Sequence, residues 1–286
     1  MSESSGVART RAVSCLTRSR HCTIAAAALA LTAATPSAFG QTIELDASVT
    51  AVALFPDDDR IGEDRTASFD LTLERATTRG RWFAYVEANT SPNRRQASTV
   101  LAEVNADAGT ALDPDRRGRV QLSELNYQLA LTDGASVTLG YLDPSGYLDR
   151  SRITNDENVQ FLGVSFVNNP TIEFPDYTMG VVYQRPARGK QPQINAVVTS
   201  SNGLADNPNL SYAQLLELSS GNKGVFAAIG TAWLNERGLV RIGAWINTRP
   251  HTTLDETSND SDNYGVYAVL GREWGNLGAN LRLGMA

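Results

Sequence analysis

Beyond residue 40, apolar and polar residues alternate along the chain with a period of two. In the segment 43–55 the apolar side chains occupy odd positions, among them Leu45 and Val49. The segment 67–75 keeps that phase. In 81–89 the phase changes, and the even positions carry Trp82, Ala84, Val86 and Ala88. Alternation over nine or more residues predicts a β-strand with one apolar and one polar face.

The same pattern extends almost to the end of the chain. The longest segments match the ~9–11 residues that a tilted strand needs to cross a bilayer. We therefore predict an all-β fold, a transmembrane antiparallel β-barrel of porin type with about twelve strands visible in this chain. The predicted strands cover 43–55, 67–75, 81–89, 120–130, 135–142, 177–185, 193–200, 211–218, 225–235, 239–248, 264–274 and 277–286.

The connecting segments differ in length. Residues 132–134 form a tight Thr-Asp-Gly turn, whereas 56–66, 90–119 and 143–176 are long and polar. Outer-membrane barrels alternate short periplasmic turns with long extracellular loops. Placing residue 41 in the periplasm puts these three long loops outside the cell. The alternation fails later, where 236–238 is tight and 249–262 is longer, which indicates a miscounted strand near 211–235.

A soluble, secreted β-sandwich is the alternative that this pattern leaves open, because its strands also alternate. Sandwich strands average about five or six residues, shorter than those predicted here. A sandwich core also needs large aliphatic side chains, and many of the apolar faces here are rich in Ala and Gly. The membrane barrel is the better reading of the pattern.

The amino-terminal segment has the composition of a secretory signal. A basic region is followed by the apolar run 23–34, the breaker Pro36 and small residues before Gln41. That order is typical of a cleavable signal peptide, and the run is too short for a membrane span. We predict a signal peptide over 1–40 and a barrel over 41–286, located in the outer membrane of a Gram-negative bacterium.

Composition excludes several classes of function. The net charge of the whole chain is −6, which argues against a nucleic-acid partner. The two histidines, His21 and His251, lie far apart, without metal-ligand spacing, and no nucleophile elbow or phosphate-binding loop is present. We therefore expect no catalytic residues, no metal and no cofactor, and we expect that the protein is not an enzyme.

The segment 140–180 has polar residues and prolines at fixed offsets that follow neither a helix nor a strand period. It resembles the carbohydrate-selective porin family of Gram-negative outer membranes (OprB-like porins). The positions that carry the resemblance are Gly140, Asp143, Tyr147, Asp149, Asn155, Asp156, Glu157, Gln160, Phe161, Leu162, Val167, Asn168, Asn169, Pro170 and Pro175.

The resemblance implies a porin-type barrel, trimers in some members, and passive diffusion of mono- or oligosaccharides. Such proteins end their closing strand on an aromatic residue, whereas this chain ends at Ala286. Twelve strands also fall short of the 16–18 of a water-filled porin. We therefore expect the barrel to be incomplete at the carboxyl terminus.

The long loop at 143–176 is a candidate pore constriction. It exceeds the length of an ordinary connector and carries Arg150, Arg152, Asp156 and Glu157. Folded into the lumen, these charges would select solutes as rings of charged side chains do in other pores. The alternative is an extracellular loop whose charges are solvated.

Two strands place aromatic and charged side chains on the predicted lumen face. They are Arg81, Tyr85 and Glu87 in one strand and Arg241 and Trp245 in another. Rings beside guanidinium and carboxylate groups suit sugars, whose C–H faces stack while their hydroxyls form hydrogen bonds. The alternative for each aromatic is the interfacial girdle of the barrel. We assign to that girdle Trp82, Trp233 and Trp274.

The sequence thus predicts an outer-membrane porin that lets small carbohydrates diffuse passively, in contact with outer-membrane lipid. The alternative is a barrel without transport, serving a structural or adhesion role. Long polar loops outside the cell would serve that role equally well.

Processing gives the first test. Protein isolated from outer membranes should begin at or near Gln41, because the preceding segment directs export and is removed. Amino-terminal sequencing of the membrane-inserted protein measures this. Retention of Met1 in the membrane fraction would contradict both the signal and the predicted compartment.

Overall fold

The structure is a computed structural model of the 286-residue chain. It describes residues 11–18, 22–36, 42–90, 96–101, 104–106, 118–157, 160–204, 212, 224–252, 259–260 and 263–286. The chain divides into two compact units. Unit 1 comprises Met1–Leu125 and Asp156–Val167, and unit 2 comprises Asn126–Asn155 and Asn168–Ala286.

The fold is all-β, as predicted. A single antiparallel sheet has the strand order β1 to β11, then β14 and β15, and a separate hairpin pairs β12 with β13. The strands are β1 (Arg11–Arg18), β2 (Cys22–Pro36), β3 (Thr42–Pro56), β4 (Asp64–Ala76), β5 (Gly80–Asn89), β6 (Arg119–Ala130), β7 (Ser136–Leu142), β8 (Thr178–Arg185), β9 (Gln193–Ser200), β10 (Val225–Asn235), β11 (Gly238–Asn247), β12 (His251–Thr252), β13 (Asn259–Asp260), β14 (Asn263–Trp274) and β15 (Leu277–Met285). In the described part of the chain the sheet is not closed, and β1 and β15 are its end strands.

Helical structure in the described residues is limited to short turns. The α-helices are α1 (Ala97–Val100), α2 (Ser145–Leu148) and α3 (Val164–Val167). No helix among the described residues is long and apolar enough to cross a membrane.

Beyond residue 41 the sheet has eleven strands, one fewer than the twelve predicted. The predicted strand 211–218 lies outside the described residues except for Tyr212, which is not in a strand. Strand β9 pairs directly with β10, so no strand stands between them in the sheet. Short and long connectors therefore alternate without interruption from β3 to β15, and the predicted irregularity near 211–235 disappears.

The predicted signal segment also contains strands. The backbone of β2 pairs with β3 and with β1. The predicted cleavage point after Gly40 lies outside the described residues. Removal of residues 1–40 stays a prediction, because the structure contains the uncleaved chain.

The turn between β6 and β7 shows how local sequence fixes the register of a hairpin. Asp133 and Gly134 have φ angles of 67° and 68°. Two successive residues with positive φ give the turn that matches strand twist, and Asp-Gly is a preferred sequence for it. The Leu131 amide donates a hydrogen bond of 2.8 Å to the carbonyl of Ala135, which closes the turn.

In unit 1 the sheet has its polar face buried and its apolar face exposed. On β4 the side chains of Ser68 and Asp70 are buried. Phe69, which lies between them, and Leu73, further along the strand, are exposed. Near the other end of β3, the buried face is apolar where α1 covers it: Val52, Leu54 and Ala97 form a small core. The polar side chains of β4 are therefore inside, and its large apolar ones face outward.

Unit 2 by itself also has an exposed apolar face, and its buried face is mixed. On β11 the side chains of Val240, Ile242 and Ile246 are exposed, while Arg241 and Asn247 are buried. Its inner face also carries an apolar core that the loop between β7 and β8 helps to form. The core comprises Leu142, Leu148, Ile172, Val182, Val197, Phe226, Ala228, Ala232, Leu239, Trp245, Tyr267 and Val269.

Glycines on this inner face make room for two aromatic rings. Gly243 pairs with Tyr267 across β11 and β14, and an added Cβ there would come within 2.5 Å of the ring. Gly265 pairs with Trp245, and its Cβ would meet the indole nitrogen at 2.7 Å. Aromatic side chains that cover glycine in a neighbouring strand pin the register of a sheet.

The opposite environments of two leucines in β3 provide a test. Leu54 is fully buried, whereas Leu45 is 38% exposed. Leu54→Ala should lower the free energy of unfolding by about 2–5 kcal/mol, because it leaves a cavity in the unit 1 core. Leu45→Ala, on the outer face, should cause a clearly smaller loss. Chemical denaturation measures both, and equal losses would show that the two faces are wrongly assigned.

Candidate functional site in unit 2

The loop between β7 and β8, residues 143–177, is called here the long loop. Its first part lies against the face of β15 that carries Gly278, Asn280 and Arg282. Asp149 bonds Arg282, the Ser151 hydroxyl accepts a 3.4 Å hydrogen bond from the Asn280 amide, and Ile153 packs on Gly278. Alternate loop residues therefore meet alternate β15 residues in reverse order.

Asp149 and Arg282 form a buried ion pair. Their closest atoms, Oδ2 and Nη2, are 2.7 Å apart, and the two side chains are 0% and 8% exposed. The backbone N–H of Asn169 donates a further hydrogen bond of 2.9 Å to Oδ2 of Asp149. Burial raises the pKa of Asp149, and the Arg282 charge and the Asn169 amide oppose that rise. Both carboxylate oxygens are thus engaged.

Arg152 attaches the long loop to two further parts of the sheet. Its Nη1 donates to the carbonyl of Glu236 at 2.6 Å, in the turn between β10 and β11. Its Nε lies 3.3 Å from the carboxylate of Glu273 on β14. The guanidinium therefore links the long loop to the turn between β10 and β11 and to β14, while 64% of its side chain stays exposed.

The chain leaves unit 2 at Asn155 and returns at Asn168. The two side chains are joined by a 2.9 Å hydrogen bond from Nδ2 of Asn155 to Oδ1 of Asn168. Asn155 has a φ of 84°, in the left-handed region that Asn tolerates better than most residues. This clamp closes the base of the excursion 156–167.

A cavity of about 340 Å³ lies between the first part of the long loop and the inner side of the strands of unit 2. Of the described residues that line it, five are arginines and one, Glu273, is acidic. We call it the arginine cavity. Its lining comprises Gly146, Tyr147, Arg150, Ser151, Arg152, Ile153, Gln184, Gln193, Asn195, Leu234, Asn235, Arg237, Gly238, Leu239, Arg241, Gly271, Arg272 and Glu273.

Arg241 is the most deeply placed arginine of this cavity. It is 6% exposed, and its Nε and Nη1 atoms are inaccessible and make no hydrogen bond within the described residues. Asp149 and Tyr267 act on it electrostatically, but it has no ion pair in the described part of the chain. Because Asp149 is already bonded to Arg282, the Arg241 charge is only partly balanced.

Trp245, predicted on the same strand, is buried at 4% exposure but does not line the cavity. Its ring stacks on Phe226 with the centroids 6.4 Å apart, and Phe226 in turn contacts Phe174 of the long loop at 5.9 Å. The residue is therefore part of the core that seats the loop. The three tryptophans assigned to the girdle, Trp82, Trp233 and Trp274, are each about half exposed.

The remaining predicted site residues lie in unit 1. Asp70 and Glu87 stand directly opposite each other on β4 and β5. Like charges in that position are destabilising unless they are relieved. Tyr85 donates a 2.9 Å hydrogen bond to Asp70, and Gln121 and Ser123 donate to Glu87.

Asp156 and Glu157 add to this acidic group. Both belong to the part of the long loop that lies in unit 1 and are half-buried. Asp156 interacts electrostatically with Asp70, and Glu157 does so with Tyr85. Arg81 is separate, in an exposed ion pair of 2.8 Å with Glu74. The structure therefore places the predicted basic pair, Arg150 and Arg152, in unit 2 and the predicted acidic pair in unit 1.

Sequence reasoning missed several residues of the arginine cavity. Gln193 and Asn195 alternate as polar residues on the inner face of β9, a signal that the period-two pattern contained. Asp149 and Arg282 are 133 positions apart, and no sequence pattern joins them. Asp149 was part of the family resemblance, yet its ion pair could be found only in the folded chain.

No family model, curated protein or solved structure matches this chain. The resemblance of residues 140–180 to carbohydrate-selective porins therefore stays a prediction. The geometry of the long loop and its cavity is the basis for inferring function.

Removing one partner of the buried ion pair tests how the loop is held. Asp149→Asn should lower the free energy of unfolding by about 3–5 kcal/mol, because it leaves the Arg282 charge buried without its partner. The double variant Asp149→Leu with Arg282→Met should be markedly less destabilised, since no uncompensated charge remains. Chemical denaturation measures both. A double variant as unstable as Asp149→Asn would contradict the ion-pair account.

Proposed function

We propose that this protein is a β-barrel channel of a Gram-negative outer membrane, of the carbohydrate-selective porin type, and that it lets small carbohydrates diffuse passively. The observation that carries the proposal is the polarity of the sheet, which buries polar residues such as Ser68 and Asp70 and exposes Phe69, Ile242 and Ile246. A water-soluble sheet has the opposite arrangement. A membrane barrel turns its apolar band toward lipid and its polar face toward the lumen.

The strand lengths support the same proposal. Strands β4, β6 and β14 have 13, 12 and 12 residues, at least the ~9–11 needed to cross a bilayer at a tilt. Closure of the sheet into a barrel is part of the proposal, since an apolar outer face in lipid requires every backbone group to be paired.

The long loop supports a selective channel rather than an open one. It packs on the inner side of unit 2 through Asp149, Arg152 and the core around Leu148. A loop held on the lumen face narrows a pore and places charges along the path of the solute. The polar amides of Gln184, Gln193 and Asn195 suit the hydroxyls of a sugar.

The proposal is tested by reconstitution into liposomes. Protein verified as inserted should let glucose equilibrate across the bilayer, with weak dependence on membrane potential because glucose is neutral. The measurement is the swelling rate of liposomes in isosmotic glucose. Dextran, which is too large for a loop-narrowed pore, serves as the matched impermeant control.

The other outcomes are also informative. Inserted protein that leaves the liposomes tight to glucose would overturn transport and favour a structural or adhesion role for the barrel. Protein that stays soluble and does not insert would overturn the membrane assignment. Equal swelling in glucose and dextran would show a lesion rather than a pore.

A further inference from the structure

We infer that the arginine cavity binds the carboxylate of an acidic monosaccharide, a sugar acid. The inference rests on the proposed channel function and names the class of solute that the channel favours. It starts from the charge of the lining, where five arginines stand with the single carboxylate of Glu273 among the described residues. That carboxylate is already paired with Arg152 at 3.3 Å.

Beside the deep end of the cavity, the described residues include one more basic side chain than acidic ones. Arg241 and Arg282 are buried together with one acid, Asp149, whose oxygens are taken by Arg282 and the Asn169 amide. Arg241 has two nitrogens without a hydrogen-bond partner in the described residues. A buried charge is stable when it is paired and hydrogen-bonded. One monoanionic group in the cavity beside Arg241 balances that charge.

A carboxylate matches this arrangement in charge and shape. Guanidinium binds planar carboxylates through two parallel hydrogen bonds, and such charge-assisted bonds are stronger than neutral ones. A phosphate ester carries about −1.5 to −2 at neutral pH, more than the single excess charge beside Arg241. The charge balance beside Arg241 therefore favours a carboxylate over a phosphate.

The remaining lining suits the rest of a sugar. Asn195 and Gln193 are hydrogen-bonded to each other at 3.1 Å, and Asn195 also donates to the carbonyl of Tyr147. These contacts hold the amides in place on β9. Amides that are fixed in this way offer donors and acceptors to hydroxyls, while Ile153 and Leu239 provide apolar contact. The cavity volume of about 340 Å³ lies in the ~300–1,000 Å³ range of small-molecule sites.

Arg150 and Arg152 lie at the more open side of the same cavity. Both are exposed, so their charges act on the approaching anion as well as on the bound one. Charges that line a cleft focus the field and raise the local concentration of an oppositely charged solute. The anion is first attracted by Arg150 and Arg152 and then binds beside Arg241.

Binding is measured by isothermal titration of the detergent-solubilised protein with sodium glucuronate and, separately, with glucose. The wild type should bind glucuronate at least about tenfold more tightly than glucose, the equivalent of one hydrogen bond to a charged group. Arg241→Gln should weaken glucuronate binding by about tenfold or more. Equal affinity for the two sugars, or glucuronate binding that is unchanged in Arg241→Gln, would overturn the inference.

Two further variants serve as controls for Arg241→Gln. Arg150→Gln alters an exposed residue, so it should fold even where Arg241→Gln does not, and it should weaken glucuronate binding by several-fold. Arg188→Gln removes the same charge from unit 2 outside the cavity, where Arg188 pairs with Asp133 at 3.5 Å, and it should leave the affinity unchanged. If Arg150→Gln and Arg188→Gln lose the same affinity for glucuronate, net charge alone explains the effect and the proposed site is overturned.

Glucose 6-phosphate separates the two anion classes. It should bind more weakly than glucuronate, because its charge exceeds the single excess positive charge at the deep end. Tighter binding of glucose 6-phosphate would overturn the assignment to a carboxylate.

Liposome flux keeps this site distinct from the channel proposal. The permeation rate of glucuronate divided by that of glucose should fall in Arg241→Gln and stay constant in Arg188→Gln. Glucose flux with no preference for glucuronate and no selective binding would leave the channel standing and overturn the site. Selective glucuronate binding without flux of either sugar would support the site and overturn the channel.

Discussion

The burial of polar and charged groups on the inner face of the sheet is the constraint that shapes this protein. A buried polar group without a hydrogen-bond partner is costly, and a buried charge more so. The opposed carboxylates of Asp70 and Glu87 are therefore surrounded by donors from the neighbouring strands. In unit 2 a charged partner comes from the long loop, where Asp149 pairs with Arg282 on β15. The outer face has no such demand, because its side chains are largely apolar and a charged one such as Arg65 is exposed.

The fixed-offset polar residues of the long loop follow from this constraint. Asp143 accepts hydrogen bonds from the amide and the hydroxyl of Ser145, which shapes the start of α2. Asn155 and Asn168 clamp the excursion 156–167. A loop lacks the regular backbone hydrogen bonds of a strand, and these side chains provide hydrogen bonds in their place. Their spacing therefore follows the path of the loop and has no regular period. Several residues that suggested a family resemblance, among them Asp149, Asn155 and Asn168, thus help to hold the loop.

Much of the fold could be predicted from the sequence, because a period-two pattern reports directly on which side chains share a face. It located eleven strands and placed Arg241 and Trp245 on the buried side of β11. The predicted strand 211–218 lies outside the described residues apart from Tyr212, and β9 pairs directly with β10. The partners of the charges were out of reach, since a contact such as Asp149 with Arg282 depends on how the loop lies across β15. For the same reason the sequence grouped Arg150 with Asp156, whereas the loop changes units at Asn155 and separates them.

The choice of basic residue agrees with this picture. Of the 25 basic residues of the chain, only Lys190 and Lys223 are lysines. A buried lysine readily loses its proton and with it its charge, whereas guanidinium remains protonated in proteins. A cavity whose purpose is to attract an anion needs a charge that survives burial, and Arg241 at 6% exposure meets that need. Guanidinium also has five donors in a fixed plane, so that Arg152 can hold the Glu236 carbonyl and the Glu273 carboxylate at once. The same side-chain chemistry therefore fixes the loop at one position and leaves a charge for a solute at another.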